Sequence, residues 1–431
     1  MQFPSRLSMA FLLSLFALVS TIAIIAQVNA QDEFRQREFV QSGDPELADS
    51  KLKVEQVVEG LDTPTTMAFL GPDDFLVLEK DKGTVQRVVD GNMLDVPVLD
   101  ANVANSVERC MCGIAISKQE STTYVFLYFT EIDGEDGGDR EGKVPIGNRL
   151  YRYEFADNRL INPTLLLDLP ATPGPRHNGG IIVIGPDGNL YVTVGDIDGS
   201  FRGPDSETVT QNYHTGKAPD GRSGILRITQ NGLPTGKGIL GDEIPLSLYY
   251  AYGIRNSFGL AFDPVTGKLW DTENGPGNSD EINLVEPGFN SGWQAVMGLA
   301  ENEPGFDYSE LVDFDGRGHY RDPELVWLHT VGPTAIQFMT SSKLGSQYVN
   351  EIFVGDVHNG RIYHFALNED RTQLDLPAPI SNKLIRNPNS GVEDLVFGED
   401  FGGISDLKLG PDGYLYVVSI GLGKVFRILP N

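Results

Sequence analysis

The chain has 431 residues, with 60 Asp+Glu against 33 Lys+Arg and a formal net charge of −27. Such a charge repels phosphate backbones and leaves no basic footprint, so nucleic acid is excluded as a partner class. Hydrophobic residues make up 40% and aromatics 9%, enough for a large core, which excludes wholesale disorder. An acidic surface favours solubility and also suits calcium, a hard cation that takes carboxylate and carbonyl oxygens.

In chain order, Arg6 precedes an apolar run from Met9 to Ala26, and Val28-Asn29-Ala30 has the small-residue form of a cleavage site. Residues 1–30 therefore read as an export signal and the mature chain as extracytoplasmic, secreted or at the cell surface. An uncleaved membrane anchor is the alternative. Residues 31–50 are polar, without apolar periodicity, and read as a linker.

From residue 51 to 431 one phrase returns. It is GPDDFLVL at 71–78, GPDGNLYVTV at 185–194 and GPDGYLYVV at 410–418, each a tight turn followed by a strand. Looser copies are DPVTGKLW at 263–270, NEIFVGD at 350–356 and, without its turn, TTYVFLYFT at 122–130. A glycine and a second short strand follow most copies, as at 83–88, 224–228, 360–365 and 423–428. Paired strands recurring at long intervals describe propeller blades, and the copies predict an all-β, six-bladed β-propeller. The longest insertions fall between Ile197 and Arg222 and between Val296 and Pro323; insertions on such an array gather on one face, commonly the binding face.

Three stretches could carry chemistry. RHNGG at 176–180 precedes a repeat strand that ends in Gly195-Asp196. His177 is suited to proton abstraction near neutral pH, and Asp196 could fix its tautomer if one blade brings the two together. Taken alone, each residue is equally at home in a turn. YAYGIRNSFGL at 250–260 offers Arg255, a permanent cation with a rigid fork, and Asn256, which can orient a hydroxyl. Bracing of a blade edge by Arg255 explains that stretch as well. TENGPGNSDEIN at 272–283, followed by GFNSGW at 288–293, holds a Gly275-Pro276 turn whose carbonyls can face a cation, with Asp280 and Glu281 as added oxygen ligands. Cys110 and Cys112 lie on a predicted strand; a bridge between residues two apart is strained, so both are expected as buried reduced thiols.

In their order and spacing these motifs resemble the glucose/sorbosone dehydrogenase family, soluble sugar oxidoreductases that use pyrroloquinoline quinone (PQQ), and the likeness runs from about Val54 to Leu429. The resemblance implies a six-bladed propeller with a sugar site above the quinone. It makes His177 the base that takes the C1 hydroxyl proton, Asp196 its orienting carboxylate, Arg255 and Asn256 contacts to PQQ, and the Gly275 and Pro276 carbonyls ligands of an activating Ca²⁺. Glu108 falls where the family places a polar residue near the substrate. Three positions depart from the pattern: His358 stands where the family has a cofactor-binding lysine, and Gly403 and Ser405 stand where it has an Arg-x-Arg pair.

The leading expectation is a PQQ-dependent sugar (aldose) dehydrogenase that passes electrons to an external acceptor. The alternative from another class is a non-catalytic, calcium-stabilised propeller that binds glycan or protein after losing the cofactor cations. A third is a lactonase-like hydrolase.

Overall fold

The second strand of each repeat is buried along nearly its whole length, in contrast to the one-sided burial of a solvent-facing sheet. This holds for Asp74–Glu79, Leu190–Val194, Leu269–Glu273, Ile352–Asp356 and Leu415–Ser419. Burial on both faces requires a neighbour on each side, and the sheet arrangement supplies it. In the computed structural model, which describes residues 43–135, 137–141, 144–198 and 206–431, the strands group into six sheets. Their innermost strands are Pro64–Gly71, Met111–Lys118, Ile182–Ile184, Ser257–Phe262, Pro333–Phe338 and Ile404–Leu409. Each packs on the next, and the last returns to the first, so the sheets form a closed β-propeller ring. A separate apolar cluster fills each of the six seams between neighbouring sheets. Among the described residues helix is limited to short 3₁₀ turns.

The repeated phrase has a local cause. In GPDGNLY, Asp187 accepts from Asn189 N at 3.1 Å and from the Tyr191 hydroxyl at 3.1 Å. In GPDGYLY, Asp412 does the same with Tyr414 N at 3.1 Å and the Tyr416 hydroxyl at 3.0 Å. The aspartate closes the turn and ties it to the strand that follows.

The ring is closed by chain ends. Leu52–Glu59 pairs antiparallel with Lys424–Pro430, so the last sheet holds strands from both ends of the described chain. Part of the expected linker also belongs to the ring. Glu46–Leu47 pairs with Val396–Glu399, and Leu47 packs on the apolar cluster between the fifth and sixth sheets. The expected export signal and the first part of the linker lie outside the described residues.

The fully buried strand ends carry acids, and one of these makes stability depend on pH. Asp356 accepts from Asn359 N at 2.6 Å and from the Tyr363 hydroxyl at 2.9 Å, yet burial pushes its carboxyl up to about 6. A carboxyl raised in the folded state binds its proton more tightly than in the unfolded chain. Its stabilisation is present below pH ~4 and is lost as pH rises through about 6, on the order of 3 kcal/mol in all. Asp356→Asn is expected to remove that part of the slope when chemical denaturation is compared at pH 4 and pH 7.

Candidate functional site

The turn that carries His177 leads into the inner strand of the third sheet and leans on the second. His177 has φ 60°, the left-handed region that a non-glycine residue enters at a cost of about 1–3 kcal/mol. Several bonds hold it there. Its backbone N–H donates to Glu108 Oε2 at 2.7 Å, the Tyr128 hydroxyl donates to Asn178 O at 2.9 Å, and Asn148 Nδ2 donates to Asn178 Oδ1 at 3.1 Å. Glycine is required behind it, since a Cβ at Gly180 would lie 2.5 Å from the Tyr128 ring and 2.8 Å from Cys112 Cβ. A Cβ at Gly195 would meet His177 O at 2.4 Å and Arg255 O at 2.6 Å, so this glycine lets three backbones converge.

His177 Nδ1 lies 2.5 Å from Asp196 Oδ1, with the two side chains 3% and 0% exposed. An ionised carboxylate only accepts, so Nδ1 carries the proton and Nε2 keeps its lone pair for a substrate proton. Asp196 is fixed in turn: Trp293 Nε1 donates to Oδ2 at 2.8 Å and Asp198 N to Oδ1 at 3.0 Å. Sequence reasoning quoted Trp293 as part of a motif but gave it no role. Near this pair, burial pushes the Tyr213 hydroxyl up to about 12, with the charges of Glu207 and Asp196 adding to the effect.

Arg255 sits beside this pair. Its guanidinium lies over the Trp293 ring at 5.3 Å, NH1 donates to Asn274 O at 2.6 Å, and its backbone N donates to Glu273 Oε1 at 2.6 Å. Burial pulls its pKa down, while the charges of Asp196, Glu108, Glu273 and Asp280 act against that. Asn256 Nδ2 donates to Glu108 Oε2 at 3.1 Å, so one carboxylate oxygen joins the His177 turn to the Arg255-Asn256 segment. Two buried polar atoms here have no protein partner, Arg255 Nε and Asn256 Oδ1. His177, Asp196, Glu108, Arg255 and Asn256 are thus brought together.

The acidic pair at the Gly275-Pro276 turn is arranged differently from the expectation. Asp280 and Glu281 are adjacent on the strand Asp280–Val285 and point to opposite faces. Asp280 braces the turn, accepting from Gly275 N at 2.9 Å, Val331 N at 2.7 Å and Gly332 N at 2.8 Å. Glu281 instead accepts from Gly298 N at 2.5 Å and Asn283 Nδ2 at 3.1 Å. The two carboxylates therefore do not converge on one cation, and the carbonyls of Gly275 and Pro276 are the oxygen donors left at the turn. On the neighbouring fifth sheet, the His358 backbone N donates to Val331 O at 3.1 Å, in the segment that Asp280 braces, and its Nδ1 lies 3.4 Å from Thr330 O. The Ser405 hydroxyl donates to Pro64 O at 2.8 Å and is turned into the seam between the sixth and first sheets.

Cys110 and Cys112 correct the sequence expectation outright: they form a disulfide. A flat strand would hold residues two apart at about 6.6 Å, whereas the Cα atoms here are 5.0 Å apart, next to a register shift between Met111 and Gly113.

Comparison with known proteins places this fold among sugar dehydrogenases. The aldose sugar dehydrogenase YliI of Escherichia coli (strain K12) is 23% identical over 391 residues, 89% of this chain and 94% of that protein. The quinoprotein glucose dehydrogenase B of Acinetobacter calcoaceticus is 30% identical over 275 residues, 59% of this chain and 54% of that protein. The fold matches the PQQ-bound aldose sugar dehydrogenase of Streptomyces coelicolor with a TM-score of 0.62 at 23% identity, covering 89% of this chain and 99% of the other. The Glucose / Sorbosone dehydrogenase profile spans residues 61–427, and the chain belongs to that family.

Proposed function

We propose that this chain is an exported, PQQ-dependent sugar oxidoreductase, a six-bladed propeller in which each sheet is one blade, oxidising an aldose hydroxyl and delivering the electrons to an external acceptor. The observation that carries the reading is the buried His177–Asp196 pair beside Arg255, in a segment where two buried polar atoms, Arg255 Nε and Asn256 Oδ1, lack a protein partner. A histidine oriented by a carboxylate is a general base, and a desolvated cation beside it stabilises developing negative charge. Relatives whose names specify aldose sugar dehydrogenase and quinoprotein glucose dehydrogenase support the substrate class and the cofactor.

The donor set fits the quinone end of PQQ. Arg255 Nε can donate and Asn256 Oδ1 can accept, and both lack a protein partner. When bound, PQQ supplies the hydride acceptor and Ca²⁺ the Lewis acid that polarises it. The chain's own part is to take the C1 hydroxyl proton on His177 Nε2, to hold that ring through Asp196, and to keep the pocket dry. At the carboxylate end of the cofactor the fit is lighter, because Gly403 has no side chain and the Ser405 hydroxyl is engaged by Pro64 O. His358 is then the group nearest the family's lysine position, and affinity should weaken as salt screens the remaining charge.

Titrating the calcium-loaded protein with PQQ, followed by cofactor absorbance and by sugar-dependent dye reduction, tests the reading. Saturable binding with turnover supports it. Absence of PQQ binding favours the second reading, a glycan- or protein-binding propeller, for which Gly403 and Ser405 are the specific observation. Calcium held by the Gly275 and Pro276 carbonyls should be removable by chelators, with PQQ affinity lost and then restored by Ca²⁺ better than by Mg²⁺, which demands tighter octahedral geometry. Chelation that leaves affinity unchanged would place the ion elsewhere.

Export is proposed on the Met9–Ala26 run and the cleavage-type triplet that follows it. Among the described residues no helix is long and apolar enough to cross a membrane.

A further inference from the structure

The Cys110–Cys112 bridge lies against the catalytic turn rather than apart from it. Both cysteines are 5% exposed and stand at the start of the inner strand Met111–Lys118. Two residues upstream is Glu108, whose Oε2 holds both His177 N and Asn256 Nδ2. On the other side, Cys112 Cβ sits 2.8 Å from the place a Gly180 Cβ would occupy, and a Cβ on Gly113 would lie 1.7 Å from Gly180 O. The bridged segment is thus packed closely on Gly180 at one end of the 177–180 turn, while Glu108 holds His177 at the other.

Neighbouring bonds fix where this segment begins and ends. Thr130 N donates to Cys110 O at 3.0 Å, Met111 N to Lys80 O at 3.1 Å, and the Thr65 hydroxyl to Met111 O at 2.8 Å. Arg109 donates to Ala171 O at 2.8 Å and Gly174 O at 3.1 Å. Between these anchors the bridge, beside the register shift at Met111 and Gly113, holds the two Cα atoms at 5.0 Å where an open regular strand would need about 6.6 Å. The difference has to be absorbed at the Glu108 turn or against Gly180.

We propose that the Cys110–Cys112 disulfide is a positioning element for His177, acting through Glu108, and that its reduction detunes the site. The kinetic part of this rests on the sugar-oxidising reading above. A dithiol reductant supplies two electrons and two protons: the Cys110–Cys112 bond breaks, two thiols form, and the reductant leaves as its own disulfide. The segment then lengthens, Glu108 shifts, and the grip on His177 N and Asn256 slackens. A displacement of about an ångström at a catalytic group is enough for a loss of roughly 10-fold or more in kcat.

The test is a coupling measurement. The double substitution Cys110→Ser with Cys112→Ser is made in the natural chain and in Glu108→Ala, and kcat and KM are measured in all four proteins. The bridge should matter where Glu108 is present, with a fall of roughly 10-fold mainly in kcat, and hardly at all in Glu108→Ala. An equal fold-loss in both backgrounds would overturn the proposal, because the bridge would then act on stability or elsewhere. If the serine variant does not fold, the natural enzyme treated with dithiothreitol, with two thiols counted by alkylation, takes its place. Independently of turnover, the ¹⁵N ring resonances of His177 should move on opening the bridge, and move little in Glu108→Ala. Unmoved resonances would sink the positioning role. Bridge-dependent resonances in a protein that oxidises no sugar would uphold it and refute the sugar reading alone.

Discussion

Replacing His177 with Ala is expected to lower kcat for sugar oxidation by roughly 10²–10⁴ while leaving KM nearly unchanged. The expectation rests on geometry. Asp196 sits 2.5 Å from Nδ1 and accepts only, so the ring is locked with Nε2 as the basic atom, and the left-handed backbone at residue 177 is kept although it is strained. Asp196→Asn should preserve the shape but offer an N–H toward Nδ1 or lose the Trp293 bond, inverting or loosening the ring; a loss of similar order is expected. Stability separates these variants. His177→Ala leaves Asp196 with its bonds from Trp293 and Asp198 N, so unfolding should shift modestly. Turnover that survives His177→Ala at the natural rate would remove this residue from the chemistry.

Much of this site was legible because propeller repeats place equivalent residues at equivalent heights. An acid stands at or just past the end of the second strand in five sheets, as Glu79, Glu131, Asp196, Glu273 and Asp356. Recurrence makes the position readable, yet it does not say which acid is functional. Glu79 takes Asp62 N, 17 residues back in the chain, and Asp356 takes Asn359 N to close a local turn. Asp196 differs because the strained RHNGG turn brings an imidazole to it, and that turn is written in contiguous sequence.

What escaped the sequence depends on pairing across long separations or on local irregularity. Trp293 reaches Asp196 across 97 positions, and no period connects them. The disulfide was read as too strained for neighbours two apart, an argument that assumes a regular strand; the register shift at Met111 and Gly113 removes the assumption. Asp280 and Glu281 looked like a paired ligand set because they are adjacent. Adjacency on a strand sends them to opposite faces, and each is spent on backbone or side-chain N–H groups of a different element.

Arg255 should prove the costliest residue of the site to remove, for stability as well as for activity. It is 7% exposed and lies within the field of Asp196, Glu108, Glu273 and Asp280. Burial already pushes the carboxyls of Glu273 and Asp280 above the ordinary range, so their ionised forms depend on the guanidinium. Arg255→Met keeps an apolar side chain but removes the guanidinium and leaves buried carboxylates uncompensated, a loss of about 3–5 kcal/mol. The sign with pH follows. Without the cation the carboxyls are raised further, so protons are taken up by the folded state over a wider range, and the variant should be most destabilised near pH 8 and partly recover toward pH 5. Arg255→Lys retains a charge but not the planar fork, so it should keep most of the stability while losing affinity for a quinone cofactor. Thermal unfolding of the two variants at pH 5 and pH 8 separates the roles: a Met variant destabilised equally at both values would mean that Arg255 does not balance these carboxylates.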